Sequence, residues 1–138
     1  MQDVYTSSPI LFIASGNDAG GITGALSGFD SKNVNLENVY NSGNVTSSAA
    51  SPSNIGGIAG SGSDAYITNA YNAGIVTSGG SILGGSGTTI NVYTIAGSYK
   101  EGDNALVKSA ESFASGEVAW LLGDAFGQVI GTDALPLL

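Results

Sequence analysis

Ile67, Asn69 and Tyr71 alternate with Thr68 and Ala70, which is the period of a β-strand. Leu36, Asn38 and Tyr40 carry the same alternation 31 residues earlier. Each run ends in a turn signal, Asn41-Ser42-Gly43 in one case and Asn72-Ala73-Gly74 in the other. Asn and Gly tolerate the left-handed backbone that tight turns require. Val45 and Val76 open the next short strand. Each run is also preceded by a glycine box, Gly20-Gly21-Ile22-Thr23-Gly24 or Gly56-Gly57-Ile58-Ala59-Gly60. One large apolar residue between glycines reads as another short strand between bends. A two-part unit recurring in order is a repeat.

Two worn copies extend the series, Asp3-Val4-Tyr5-Thr6 and Asn91-Val92-Tyr93-Thr94. The tyrosines fall at 5, 40, 71 and 93, so the spacing drifts from 35 to 31 to 22 residues. Repeats of fixed length do not drift this way, whereas stacked coils joined by corner loops of variable length do. The clearest loops are 46–54, Ser61-Gly62-Ser63-Asp64 and 78–89, the last holding a degenerate glycine strand around Ile82-Leu83. No single unit can bury a face alone, so the units must stack. The expected fold is therefore all-β: a parallel β-helix (β-solenoid) of about 3–4 irregular turns, right-handed by the usual crossover preference. Neighbouring strands sit about 4.8 Å apart. Asn38, Asn69 and Asn91 would then form an internal amide ladder, and Tyr40, Tyr71 and Tyr93 an internal aromatic one.

The texture changes near residue 98, which divides the chain into repeats over 1–98 and a C-terminal cap over 99–138. After a charged turn at 99–104, Ala114, Val118, Leu121 and Leu122 place an apolar stripe on one helix face. Ser109 or Ser115 would cap its start, and Gly123 suits its end. Trp120, Leu121 and Phe126 would cover the last coil, followed by a terminal strand at Gln128-Val129-Ile130. The first coil has no evident cap. That pattern suits either a piece of a longer array or a subunit whose open N-terminal coil stacks on another copy or on neighbouring repeats.

Composition narrows the chemistry. Only 10% of the 138 residues are charged, against about 25% in typical domains, and Gly numbers 22. With 3 basic residues (Lys32, Lys100, Lys108) and a net charge of -8, the chain lacks the basic surface that nucleic acid needs. Anionic membranes are disfavoured for the same reason, and no apolar run approaches the about 18 residues of a membrane span. The most apolar stretch, Pro9 to Ala14, reads as a buried strand. Cysteine is absent, so no disulfide framework exists.

Histidine is absent as well, which removes catalytic triads and imidazole metal ligands. No phosphate-binding Gly-Lys-Ser/Thr is present. The acids Asp3, Asp18, Asp30, Glu37, Asp64, Asp103, Asp124 and Asp133 do not recur at the repeat spacing. Paired-carboxylate cleavage of a polysaccharide is thus disfavoured, and no cofactor is implied. Asn17-Asp18 and Asp64 lie in turns that could offer oxygens to calcium, but they match no calcium motif and read better as solvated turn acids. Thr6, Thr23, Thr46, Thr68, Thr77 and Thr94 share no single repeat position, which argues against an ice-binding threonine face.

The order Gly-Gly-Ile-x-Gly, then Ile-x-Asn-x-Tyr-Asn-x-Gly-x-Val, resembles the GLUG-motif repeats of large bacterial surface and adhesin-like proteins. Those repeats also occur in non-catalytic parts of some immunoglobulin A-cleaving metallopeptidases. Phe113 to Leu122, Phe126-Gly127-Gln128 and Gly131 to Pro136 look like the segment that closes such arrays. The resemblance spans about residues 3–136. It implies a parallel β-helix and an extracellular or cell-surface setting; the role expected there is a non-enzymatic structural or adhesive module, whose partner would be a host glycan or matrix protein. It brings no catalytic residues with it.

Overall fold

The computed structural model describes residues 1–8, 10–12, 18–27, 33–47, 54–97 and 105–138. Asn17, Asp30, Asp103, most of the 46–54 loop and the expected boundary near 98 lie outside them. Among the described residues, eleven strands and two short helices make the structure predominantly β. The strands are β1 (Gln2–Thr6), β2 (Ile10–Phe12), β3 (Ala19–Gly20), β4 (Thr23–Ser27), β5 (Val34–Asn41), β6 (Val45–Ser47), β7 (Ile55–Gly56), β8 (Ala59–Ser63), β9 (Ala65–Asn72), β10 (Thr88–Ile95) and β11 (Leu106–Lys108).

All the strand pairs are parallel. A five-stranded sheet runs β1-β5-β9-β10-β11, and three two-stranded sheets pair β2 with β6, β3 with β7 and β4 with β8. Each of these three pairs is continued by a single parallel bridge, Val45 to Val76, Gly56 to Gly80 and Ala59 to Leu83. The register repeats the sequence alignment: Tyr5 pairs with Tyr40, Tyr40 with Tyr71 and Tyr71 with Tyr93.

Strict strand alternation does not survive in the long strands. Asp3, Asn38, Asn69 and Asn91 all have positive φ, between 50° and 56°. Asp and Asn are the non-glycine residues that adopt this region most readily. The twist lets Leu36 and Val39 share one core, as do Ile67 and Ala70, although each pair is three residues apart. That core also takes Ile58 and Ile82 from the glycine boxes, with Ile22 packed against it. Their backbones are tied in sequence, Ile22 N donating to Ile58 O and Ile58 N to Ile82 O, both at 2.9 Å. A smaller core gathers Ala19, Val45 and Ile55.

The glycine boxes are glycine because neighbouring chain comes too close. A Cβ at Gly57 would stand 2.0 Å from Ser81 O and 2.5 Å from the Asn72 Cγ, and one at Gly21 2.2 Å from Gly57 O and 2.7 Å from the Asn41 Cγ. Gly57→Ala is expected to destabilise the fold by about 3 kcal/mol through overpacking. Urea unfolding checks this, and a loss below about 1 kcal/mol would show that the close approach is not needed.

The C-terminal segment departs from expectation in three ways. The single helix is broken into α1 (Ala110–Ala114) and α2 (Glu117–Leu122) at Gly116, whose φ is 86°. Ala114 is exposed, so it does not belong to the buried stripe that Val118 and Leu122 form. Ser109 caps α1 by accepting from Ser112 N at 3.2 Å, while Ser115 lies at its C-terminal end. Gln128-Val129-Ile130 is not a strand. Gly127 instead bridges Leu137 antiparallel, with Gly127 N to Leu137 O and Leu137 N to Gly127 O both 2.8 Å, closing a turn in which Val129 N donates to the Asp133 carboxylate at 2.7 Å. The segment also adds β11 to the large sheet, beside β10.

Candidate functional site: the asparagine and tyrosine columns

Two asparagine columns run along the five-stranded sheet. In the outer one, Asn91 Nδ2 donates to Asn69 Oδ1 at 2.8 Å, Asn69 Nδ2 to Asn38 Oδ1 at 3.4 Å, and Asn38 Nδ2 to Asp3 Oδ1 at 3.2 Å. Every donor points towards β1. This column is only part-buried, and its residues occupy four of the five non-glycine positive-φ positions among the described residues, Asp64 being the fifth. Its far end is closed by Tyr93, whose hydroxyl donates to Asn91 Oδ1 at 2.6 Å, and by Leu121, whose carbonyl accepts from Asn91 Nδ2 at 2.9 Å.

The inner column was not foreseen as a ladder. Asn41 and Asn72, read as turn residues, have no exposed surface at all. Asn41 Nδ2 donates to Asn72 Oδ1 at 2.8 Å and to Gly43 O at 2.7 Å, and Gly43 N donates back to Asn41 Oδ1 at 3.0 Å. Asn72 makes the same two bonds with Gly74, at 2.7 and 3.3 Å. One amide thus closes the turn after its own strand and grips the neighbouring strand. Thr94 holds the equivalent position opposite Asn72 and donates to Asn72 O at 3.3 Å. The sequence carried only part of the signal, the recurrence of Asn two residues before Gly; that no Cβ fits in the glycine boxes beside Asn41 and Asn72 shows only in the structure.

Tyr40, Tyr71 and Tyr93 are buried, but not in the core that Leu36 and Ile67 join. Val39 and Ala70 belong to the core between the sheets, whereas the adjacent Tyr40 and Tyr71 join a separate core with Phe113, Val118, Leu122 and Phe126. The C-terminal segment therefore lies along the tyrosine column and not only at its end. Tyr5 and Tyr40 stack at 5.0 Å with an 8° angle between rings, and Tyr40 and Tyr71 at 4.9 Å with 3°. Phe113 meets Tyr71 edge-on at 5.4 Å, and Phe126 lies tilted against Tyr40 and Tyr71. Tyr93 follows in register, but its hydroxyl is committed to Asn91. Leu121 is half-buried against this core and Phe126 is buried, while Trp120, expected to cover the last coil, is 80% exposed. It faces solvent because Val118 and Leu122 take the inward positions of the short helix.

Burial pushes the Tyr71 hydroxyl far above the ordinary tyrosine value, with Tyr40 adding to the shift, and that hydroxyl donates to Pro136 O at 2.5 Å. Burial also raises Tyr40 and Tyr93. Unfolded tyrosine ionises near about pH 10, so the folded state binds more protons above that value. Their contribution is complete below about pH 10 and is lost as pH rises beyond it. Stability should fall by about 1.4 kcal/mol per pH unit for each tyrosine kept neutral. Tyr71→Phe should flatten the slope by one such increment in melts between pH 9 and 11.5, and an unchanged slope would contradict the burial of this hydroxyl.

Asp18, expected as a solvated acid, is instead a staple. Its carboxylate accepts from the Ser61 hydroxyl and from the Asn54 side-chain amide at 3.0 Å and backbone N–H at 3.4 Å. Donation by Ser61, with smaller help from Asn54, holds it below the usual carboxylate range. Asp64 is exposed at a positive φ of 50°. Lys108 pairs with Glu117 at 2.5 Å and, chiefly as a hydrogen-bond donor, lowers its carboxyl. Among the described residues, no group of three or more acids lies together as a metal site. No helix among them is long and apolar enough to cross a membrane.

Set against known protein families, curated proteins and solved structures, the chain matches none.

Proposed function

We propose that the successive segments are coils of a right-handed parallel β-solenoid, and that the chain is a non-enzymatic structural and adhesive module of a bacterial surface or secreted protein. The observation that carries the reading is the order of pairing. Strands β1 to β4 pair with β5 to β8 in the same order across four sheets, and β9, Val76, Gly80 and Leu83 repeat that order once more. The box order that resembles GLUG repeats supports the same reading. In such a rod the repeated Asn and Tyr residues serve the stacking itself. The Asn amides bond to each other and to the corners, and the tyrosines stack beneath the C-terminal segment. Binding belongs to the segments whose length varies from one repeat to the next.

The test is a screen of the whole chain against host glycans and extracellular matrix proteins. Saturable binding that is lost when the 46–54 loop is replaced by Gly and Ser is the expected result. Cleavage of a polysaccharide by the chain, or binding that survives replacement of the variable loops, would overturn the reading.

A further inference from the structure

Trp120 is the only tryptophan of the chain, and α2 leaves it 80% exposed. Its apolar surface is continued by a second segment. Trp120 N donates to Gly116 O at 2.9 Å, so Gly116 lies one helical turn before it. A Cβ at Gly116 would stand 2.7 Å from Ile130 Cδ1. A helical side chain leans over the turn that precedes its own Cα, which brings the indole beside Ile130. Ile130 is 61% exposed and the adjacent Val129 62%. None of the three belongs to a buried core. Glu117, three residues before Trp120, stands on the same flank of the helix and is paired with Lys108 at 2.5 Å.

The size of the patch and the charges at its rim point to one occupant. The exposed part of Trp120 is about 200 Å², and Val129 and Ile130 bring the patch to about 400 Å². A standard interface takes about 800 Å² from each partner, of which a little over half is apolar. The patch therefore supplies the apolar part of one such interface. Its rim holds a cation and an anion side by side. A two-fold axis through the patch matches that rim to itself, with Lys108 of each copy facing Glu117 of the other.

We propose that Trp120, Val129 and Ile130 form the docking surface for a second copy of this chain in a two-fold dimer, the indole of each copy lying against Val129 and Ile130 of the other. Each copy carries a net charge of -8, and that repulsion keeps the dimer weak, with a dissociation constant of about 10–100 μM.

Sedimentation equilibrium from about 1 μM to about 1 mM is expected to show monomers and dimers and no larger species, since a two-fold contact closes on itself. Fluorescence emission should shift to shorter wavelength over the same range, because the single indole leaves water as the dimer forms. Trp120→Ser should weaken dimerisation at least about tenfold while the tyrosine dichroism is kept. Lys108→Glu and Glu117→Lys each set like charges across the axis, and each alone should weaken the dimer. An equal mixture of these two variants should recover a heterodimer, because every rim charge then meets its opposite. Monomers at every concentration would overturn the proposal. So would association that Trp120→Ser leaves unchanged, or that grows beyond the dimer.

Discussion

Replacing Asn72 with alanine is expected to cost about 3 kcal/mol or more of unfolding free energy, more than the same change at Asn69. Asn72 is fully buried. Its loss leaves the Gly74 N–H and C=O without the side chain that satisfies both, and takes from Asn41 Nδ2 the acceptor at 2.8 Å. Each buried polar group left unsatisfied costs about 1–3 kcal/mol. Nor can the space be filled by relaxation alone, because the Gly57 backbone already touches the amide. Asn69 is only part-buried; it donates to Asn38 at 3.4 Å and accepts from Asn91 at 2.8 Å, and solvent can replace part of that bonding. Asn69→Ala loses these two bonds and the tolerance for a φ of 50°, together about 2 kcal/mol. Urea unfolding of the two variants decides the ranking. A larger loss at Asn69 would mean that the outer column, and not the inner one, holds the coils together.

Phe113→Ala is expected to destabilise by about 3–5 kcal/mol, the usual cost of emptying a buried phenylalanine site. Phe113 is fully buried and stands edge-on to Tyr71. The effect should be local in kind. The core of Leu36, Val39, Ile58, Ile67 and Ile82 does not include Phe113, whereas the tyrosine core does. The variant should therefore lose near-ultraviolet dichroism from the tyrosines and become open to proteolysis within 105–138 before the strand signal melts. Simultaneous loss of both signals at an unchanged midpoint would show that the C-terminal segment is not fastened through this ring.

The strands were legible because their chemistry is periodic. Tyr40 and Tyr71, at equivalent positions of the repeated box, are paired in space, whereas the Ile58 of a glycine box is buried in the core from the bend between β7 and β8 and not from a short strand of its own. Three features were not legible. A positive φ within a strand leaves no trace in hydropathy, so the alternation through Asn69 assigned Ala70 to the wrong face. Which asparagine is buried depends on what stands opposite it. Asn41 and Asn72 face Gly21 and Gly57, and that contact is visible only in three dimensions. The C-terminal helix was read as continuous because Ala114 and Val118 fit a helical spacing. The chain breaks at Gly116 and directs Phe113 and Val118 to the tyrosine column while Trp120 turns to solvent. Apolar residues at helical spacing reveal a face, but not the surface that the face will cover.

The stacking of coils in register is tested most directly by disulfide cross-linking, since the chain has no cysteine of its own. Glu37 is paired with Thr68 in the five-stranded sheet, and Ser27 with Ser63 in a different one. Neighbouring parallel strands are about 4.8 Å apart, within the reach of a disulfide. Cysteines at 37 and 68, and separately at 27 and 63, should therefore cross-link under mild oxidation with little loss of stability. Cysteines at 37 and 90, two strands apart, should not. Efficient cross-linking of 37 with 90, or failure of either in-register pair in a folded chain, would contradict the stacked-coil account.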